Sequence, residues 1–297
     1  MKLSVASFNV RGLTQEYKQE QLSRDITKYK IDVISLQETK IKEDVDINIG
    51  QNRLICFSTG ENSSHGNGFM ISGKIAHMVN RYWKVSDRIC VVEILTKSSR
   101  KRENGITRWR VDNNGTSNNN NLRTKLVKDN PADHTILLVN VYAPTSGVAK
   151  KDQQQVKKMY SELKTLLDSF KKLSTKTVII AGDFNAKIGK KTGTETCMGN
   201  YSRGTRNQNG EDLVNFCEMN KLFICNSAFK HPARHITTWT NQRKMSNGEM
   251  KCTYNQLDYI LQDQKRALMD ARSYAGAETS SDHNIMKMTM VIKWTEL

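Results

Sequence analysis

The sequence holds no Cys-x-x-Cys pair and no cysteine–histidine spacing that would build a zinc site, although six cysteines are present. No apolar run approaches membrane-spanning length, and Met1-Lys2 leads straight into an alternating strand instead of an apolar signal core. Cys56, Cys90 and Cys225 sit inside apolar runs and read as small core residues. These absences lead us to expect a reducing, intracellular setting and no membrane partner. Neither repeats nor a domain boundary interrupt the 297 residues, so a single domain spanning 1–297 is expected. Acidic residues are also scarce. Asp and Glu number 30 against 46 Lys and Arg, a formal charge of +16. That excess is compatible with a solvated surface or with a polyanionic partner held through its phosphates, and charge alone does not choose.

What is present alternates between strand and helix patterns. Residues 2–10 read as a strand, Glu16–Tyr29 as an amphipathic helix with Leu22 and Ile26 inward, and Ile31–Leu36 as a second strand, giving a β-α-β opening. Residues 53–58, 67–72, 75–83 and 88–95 alternate like half-buried antiparallel strands. From 97 to 134 the chain turns basic and Asn-rich with few apolar residues, which we read as a surface insertion within one domain. Thr135–Tyr142 is a strongly apolar strand, and Asp152–Leu173 is a helix with Val156, Met159, Leu163 and Phe170 on one face. Further strands are expected at 177–181, 222–225, 237–240, 256–261 and 284–292, and a helix at 211–220. The mixture suggests an α/β protein in which two mixed sheets pack face to face with helices outside.

Several strands end in polar residues suited to phosphodiester chemistry. Glu38 closes one as a hard oxygen ligand for Mg²⁺, or as an ordinary exposed acid; Asn9 ends the first strand, where it could orient that carboxylate. Gly182-Asp183-Phe184-Asn185 is either a turn with side-chain caps or a pair in which Asp183 deprotonates a water and the Asn185 amide meets the developing charge. His283, in Ser281-Asp282-His283, could be held by Asp258, an arrangement that fixes the tautomer and favours the protonated ring. Asp282 beside it could bind metal or orient the imidazole. Tyr142 ends its strand either as packing or with its phenol against the phosphate.

Taken together, SFNVRGL (7–13), LQETK (36–40), NVYAPT (140–145), AGDFNAKIG (181–189), NQLDYIL (255–261) and SSDHN (280–284) resemble the endonuclease/exonuclease/phosphatase superfamily. The stretches 203–229, TTWT (237–240) and 273–284 are similar to the apurinic-type endonuclease domains of RTE-like non-LTR retrotransposons and their craniofacial development protein 2-like relatives. The resemblance implies a four-layered, DNase I-like α/β sandwich. It implies Glu38 on the metal supported by Asn9, Asp183 and Asn185 around water and phosphate, Tyr142 beside them, and His283 paired with Asp258 and flanked by Asp282. Asn226 and Trp239 would line the DNA-binding face, with Arg206 on a phosphate.

Where apurinic endonucleases commonly carry a carboxylate two residues after the first Asn, this chain has Arg11, which cannot bind metal but could hold a phosphate. Where they carry Asn after Tyr-x-Pro, it has Thr145. The expectation is therefore a Mg²⁺-dependent endonuclease, with Mn²⁺ as a substitute. It would nick one strand of double-stranded DNA in the nucleus to leave a 3′-hydroxyl and a 5′-phosphate, as a target-site step of retrotransposition and in fusion with a reverse transcriptase. The competing expectations are a phosphatase on a small phosphoester and a domesticated DNA- or chromatin-binding protein without catalysis.

Overall fold

The computed structural model of the chain describes residues 2–60, 65–96, 134–145, 150–171, 173 and 176–292. From the N-terminus run β1 (Lys2–Asn9), α1 (Glu16–Lys28), β2 (Val33–Gln37), β3 (Val45–Ile49), β4 (Asn52–Phe57), β5 (Asn67–Ile71), β6 (Val79–Ser86) and β7 (Ile89–Thr96). Next come β8 (His134–Tyr142), α2 (Lys150–Phe170), β9 (Lys176–Asp183), α3 (Gln208–Asn220) and β10 (Phe223–Ile224). The described chain closes with β11 (Trp239–Lys244), β12 (Met250–Asn255), β13 (Asp258–Gln262), β14 (Leu268–Tyr274) and β15 (Ile285–Val291). The Asn-rich insertion expected at 97–134 lies outside the described residues, apart from His134, which opens β8.

Seven strands form one sheet in the order β14-β15-β1-β2-β5-β4-β3, and six form another in the order β10-β13-β9-β8-β7-β6. Their packing follows from which side chains alternate where. Along β1, Leu3 and Val5 join a cluster with Val92, Leu138, Ile179 and Met288, whereas Ala6 and Phe8 join Leu22 and Ile26 of α1. Along β8, Ile136 and Leu138 point to the first of these clusters and Leu137, Val139 and Val141 to Met159, Leu163 and Leu213 of α2 and α3. Both faces of each central strand are therefore apolar, which explains their near-continuous hydrophobic runs. The order of layers is α1, sheet, sheet, then α2 with α3: the DNase I-like α/β sandwich. Among the described residues no helix is long and apolar enough to cross a membrane.

Three strands escaped the sequence reading. Edge strand β3 exposes Asp46, Ile47 and Asn48, and β12 pairs only with β11 in a hairpin that buries neither face, so neither shows one-sided apolar alternation. In β14 a register shift between Leu268 and Asp270 breaks the alternation. The expected strand over 75–83 opens instead with a 3₁₀ turn at Ala76–Met78 before β6 begins. The strand expected at 237–240 is displaced to β11.

The topology places a polar edge. β1 and β2 are parallel, as are β8 and β9, so each β-α-β unit ends both strands at one edge, with Asn9 opposite Gln37 and Tyr142 opposite Asp183. Antiparallel β13 starts there, with Asp258 opposite Asp183. Antiparallel β15 pairs Met286 with Ser7, so the residues just before β15 reach the same edge. Gly182 is required at the end of β9, because a Cβ would stand 2.0 Å from the Val141 carbonyl oxygen.

Two side-chain networks fix this edge. Gln37 accepts from Ser7 Oγ (3.3 Å) and donates to Asn140 Oδ1 (2.7 Å), while Asn140 Nδ2 donates to the carbonyls of Leu36 and Gly68 (2.8 and 2.9 Å). This buried amide bridge ties the two sheets together. On the far side of α1, the buried Asp25 carboxylate accepts the backbone N–H of Glu278 (2.9 Å), anchoring the loop that leads to Asp282 and His283.

Candidate active site

Sharp turns follow the strand ends. Among the described residues, four of the six non-glycine positions with positive φ are Arg11 (48°), Glu38 (53°), Lys40 (55°) and Asn185 (47°), all at this edge. Such backbone is costly for a residue with a Cβ, and its clustering marks an over-determined site. Asn9 links the two β-α-β units directly. Its Nδ2 donates to Glu38 Oε1 (3.0 Å) and Asp183 Oδ2 (3.1 Å), while its Oδ1 accepts the Arg11 N–H (3.2 Å).

Glu38 Oε1 also accepts from the Tyr142 hydroxyl at 2.9 Å, and its Oε2 lies 3.6 Å from Lys40 Nζ. Burial opposes its charge, but the bonds from Asn9 and Tyr142, with Lys40 and Arg11 nearby, hold the carboxyl below its ordinary value. Tyr142 is pushed up by burial and then by Glu38, so its phenol stays protonated and donates.

Asp183 behaves oppositely. Nearly full burial, followed by the charge of Asp258, raises it to about 7, against the pull of His283, the Asn185 N–H and Asn9. His283 Nδ1 donates to Asp258 Oδ2 at 2.9 Å, and its Nε2 stands 3.8 Å from Asp183 Oδ2. Burial works against the charged ring, yet Asp258, with Asp183 and Asp282, pushes it up to about 9. Asp258 is itself set by the N–H donations of Leu257 and Asp258 to Thr238 Oγ1 (2.9 and 3.1 Å). The backbone beyond Asp183 is fixed by its own Oδ1, which accepts the Asn185 N–H at 2.9 Å.

Two sets of groups could attract a metal ion. Ligand atoms of Asp183, Asp258 and His283 lie within 4.8 Å of one another; the imidazole Nδ1 is committed to Asp258 Oδ2 by a hydrogen bond, which suits proton handling, while Asp258 Oδ1 is buried with no hydrogen-bond partner among the described residues. Glu38 offers an ionised hard oxygen, held by neighbours at one atom and facing only a lysine at the other, the donor type a hard divalent cation takes. Nearby, Asp282 Oδ1 is buried with no hydrogen-bond partner. The residues thus fit such a cation.

Of the expected site residues, Asn9, Glu38, Tyr142, Asp183, Asn185, Asp258, Asp282 and His283 converge at this edge. Asn185 Nδ2 donates to the Ala143 carbonyl at 2.9 Å, so one of its two amide hydrogens is committed. Arg11 Nη1 donates to Asp282 Oδ2 at 2.6 Å, and Trp239 Nε1 donates to the same oxygen at 2.9 Å. Two expected DNA contacts are placed differently. Asn226 is 2% exposed, accepting from Ile260 N (3.0 Å) and donating to the Asp258 carbonyl (2.8 Å), so it braces β13 instead of lining a surface. The Arg206 side chain is 15% exposed and spans Glu195 (2.6 Å) and Glu211 (3.2 Å), leaving it a structural clasp with its charge already neutralised. Sequence reasoning missed Lys40, Thr238 and the Gln37–Asn140 bridge; the last had a signal, a polar side chain inside each of two apolar strands.

Comparisons with known proteins identify the family and the fold. A family model described as endonuclease-reverse transcriptase matches residues 136–287. Craniofacial development protein 2 of Bos taurus is 31% identical over 153 residues, 51% of this chain and 24% of that protein. The Tragulus javanicus counterpart is 30% identical over the same share, so the chain spans about a quarter of these relatives. The fold matches the AP endonuclease LMAP from Leishmania major (TM-score 0.62, 14% identity, 98% of this chain and 88% of that one). It also matches the catalytic domain of Xenopus laevis APE2 (0.61, 13%, 97% and 91%). The endonuclease domain of TRAS1, a telomere-specific non-LTR retrotransposon, follows (0.55, 16%, 98% and 98%). With half of its length matched by the family model and its two-sheet sandwich shared with these structures, the chain belongs to the endonuclease-reverse transcriptase family, within the endonuclease/exonuclease/phosphatase superfamily.

Proposed function

We propose that residues 1–297 act as one metal-dependent DNA endonuclease domain that nicks one strand of duplex DNA by phosphodiester hydrolysis. The observation that carries this reading is the buried Asp258–His283 pair facing Asp183, 3.8 Å away, with Asn9 joining Asp183 to Glu38. Asp183, poised near neutrality, accepts a proton from a water whose oxygen bonds to phosphorus. The bond from phosphorus to the 3′ oxygen breaks with its electron pair going to that oxygen, which takes a proton from solvent water, leaving a 3′-hydroxyl and a 5′-phosphate. His283, kept cationic by Asp258, directs its Nε2–H at the phosphate oxygens as their charge builds, and the uncommitted Asn185 amide hydrogen adds a second donor. Glu38, with Asn9 and Tyr142 fixing its orientation, would hold Mg²⁺ or, in its place, Mn²⁺. The bound ion would polarise a phosphate oxygen and offset negative charge.

The formal charge of +16 supports a nucleic-acid substrate, with affinity that falls steeply as salt rises. The retrotransposon endonuclease among the similar structures supports target-site nicking that primes reverse transcription, with a reverse transcriptase in the same polypeptide; a nuclear setting is proposed from the DNA substrate alone. Relaxation of supercoiled plasmid tests the proposal. Open circles should form with Mg²⁺ and disappear with EDTA, in Asp183→Ala and in His283→Ala. If folded wild type relaxes nothing across salt and metal, the endonuclease reading fails, and the phosphatase and the non-catalytic binder replace it.

A further inference from the structure

Helix α3 reaches the reaction centre without contributing a group to it. It opens with Asn207-Gln208-Asn209-Gly210, in which Asn207 is the N-cap. Asn207 Oδ1 accepts the N–H groups of Gly210 and Lys187, both at 2.9 Å, so one side chain caps the helix and pins the turn that follows β9. The Asn207 N–H donates back to the Lys187 carbonyl at 3.0 Å. A Cβ on Gly210 would collide with that same carbonyl, so helix and turn meet backbone to backbone. On the turn's other side, the buried Tyr259 hydroxyl lies 3.1 Å from the Ala186 carbonyl.

Asn209 does something else. It is buried, and its Nδ2 donates to two backbone carbonyls, that of Asn185 at 3.1 Å and that of Pro144 at 3.2 Å. A side-chain amide has two hydrogens, and here both are used. The two carbonyls belong to the turns that leave β9 and β8, so one side chain of α3 joins them. No other hydrogen bond reaches the Asn185 carbonyl among the described residues. Asn185 has left-handed backbone (φ 47°), which a residue with a Cβ keeps only where its surroundings fix it. Its own Nδ2 donates to the Ala143 carbonyl, and the Ala143 N–H donates to the Asp183 carbonyl at 2.8 Å. The direction of the remaining Asn185 hydrogen is therefore set by the backbone at 143–144 and at 185. Asn209 holds both.

We propose that Asn209 is a positioning residue for the cleavage step, aiming the free Asn185 amide hydrogen at the phosphate by locking the Asn185 and Pro144 carbonyls together. This rests on the endonuclease reading, in which Asn185 donates to the phosphate. Asn209 itself touches no reacting atom. Without it the turn keeps its anchors at Ala186 and Lys187, but Asn185 is released from its left-handed backbone and carries its amide off line. A misplacement of about 1 Å at such a group costs on the order of a hundredfold in rate.

A double-mutant cycle on supercoiled plasmid tests this, with every variant assayed below its melting temperature. Asn209→Ala should lower kcat by about 10–100-fold, with KM and duplex affinity in EDTA changed by less than about twofold. Asn209→Asp keeps the shape and loses the donor hydrogens, so it should behave alike. Asn185→Ala should lower kcat by about 10²–10³-fold, the usual loss of one such donor. Adding Asn209→Ala to it should cost less than about threefold more, since nothing is left to aim. Losses that multiply would mark a merely structural role and overturn the proposal; so would an unchanged kcat. Hydrogen exchange needs no turnover. In Asn209→Ala the Asn185 amide should exchange about tenfold faster, while the Lys187 amide, held by Asn207, and those of β8 and β9 stay as in wild type. Equal exchange at Asn185 would also overturn the positioning. If Asn185 loosens in this way in a protein that nicks no plasmid, the link through Asn209 stands and the enzymatic reading falls.

Discussion

The two β-α-β units, β1-α1-β2 and β8-α2-β9, have the same connectivity, yet they treat their carboxylates in opposite ways. Glu38, after β2, is ringed by donors and cations and is held in its charged form. Asp183, at the end of β9, is buried beside another carboxylate and is pushed up to about 7. Asn9 donates to both, so one amide spans an acid that stays ionised and an acid that can exchange a proton. Divergent environments for neighbouring carboxylates are how one site acquires both a charge holder and a base. Burial pushes both carboxyls up, and it is their neighbours that divide them: donors and cations around Glu38, a second carboxylate beside Asp183.

That division can be broken from the buried side first. Asp183→Ala and His283→Ala should each reduce plasmid nicking by about 10²–10⁴-fold, the usual share of acid–base catalysis, with little change in DNA binding. On the charged side, Asn9→Ala and Tyr142→Phe remove the groups that orient Glu38. Each should raise the Mg²⁺ concentration needed for half-maximal nicking by about 10–100-fold, read by metal titration.

A pH series sharpens the comparison. Asp183 must lose its proton to accept one, so the rate should climb through about 7; His283 must keep its own, so it should fall beyond about 9. The linked effect on stability has a definite sign. The folded value of His283 lies above its ordinary 6.5, so its stabilisation is complete below that value and is lost as pH rises through about 9. Thermal melting across that window should show the decline. The smallest effect is expected at Arg206: with its cation already neutralised by Glu195 and Glu211, Arg206→Ala should cost stability while leaving the salt slope of DNA binding unchanged.

Much of this was legible because polar residues closing apolar strands have few structural uses. Asn9, Glu38, Tyr142 and Asp183 each follow such a run, and β-α-β pairing brings their strand ends to one edge. Orientation was less legible. Arg206 lies in a segment as polar as any DNA-facing surface, whereas Asn226 closes the apolar run 222–225 much as the site residues close theirs; only tertiary packing made the amide a brace on β13 and the guanidinium an internal clasp. Asp25 was equally hidden: a helix carboxylate looks solvated until a loop more than 250 residues away donates its N–H groups to it.

The amide bridge between Gln37 and Asn140 has a mechanical consequence. Two sheets stacked through methyl and methylene groups meet along a slippery plane, since dispersion contacts change little when one layer glides over the other. A directional bond across that plane acts as a dowel, and it stands next to Glu38 on one layer and Tyr142 on the other. Ångström-level tolerance at the reacting groups then rests on this dowel together with the Asn9–Asp183 and Tyr142–Glu38 bonds that cross the same plane.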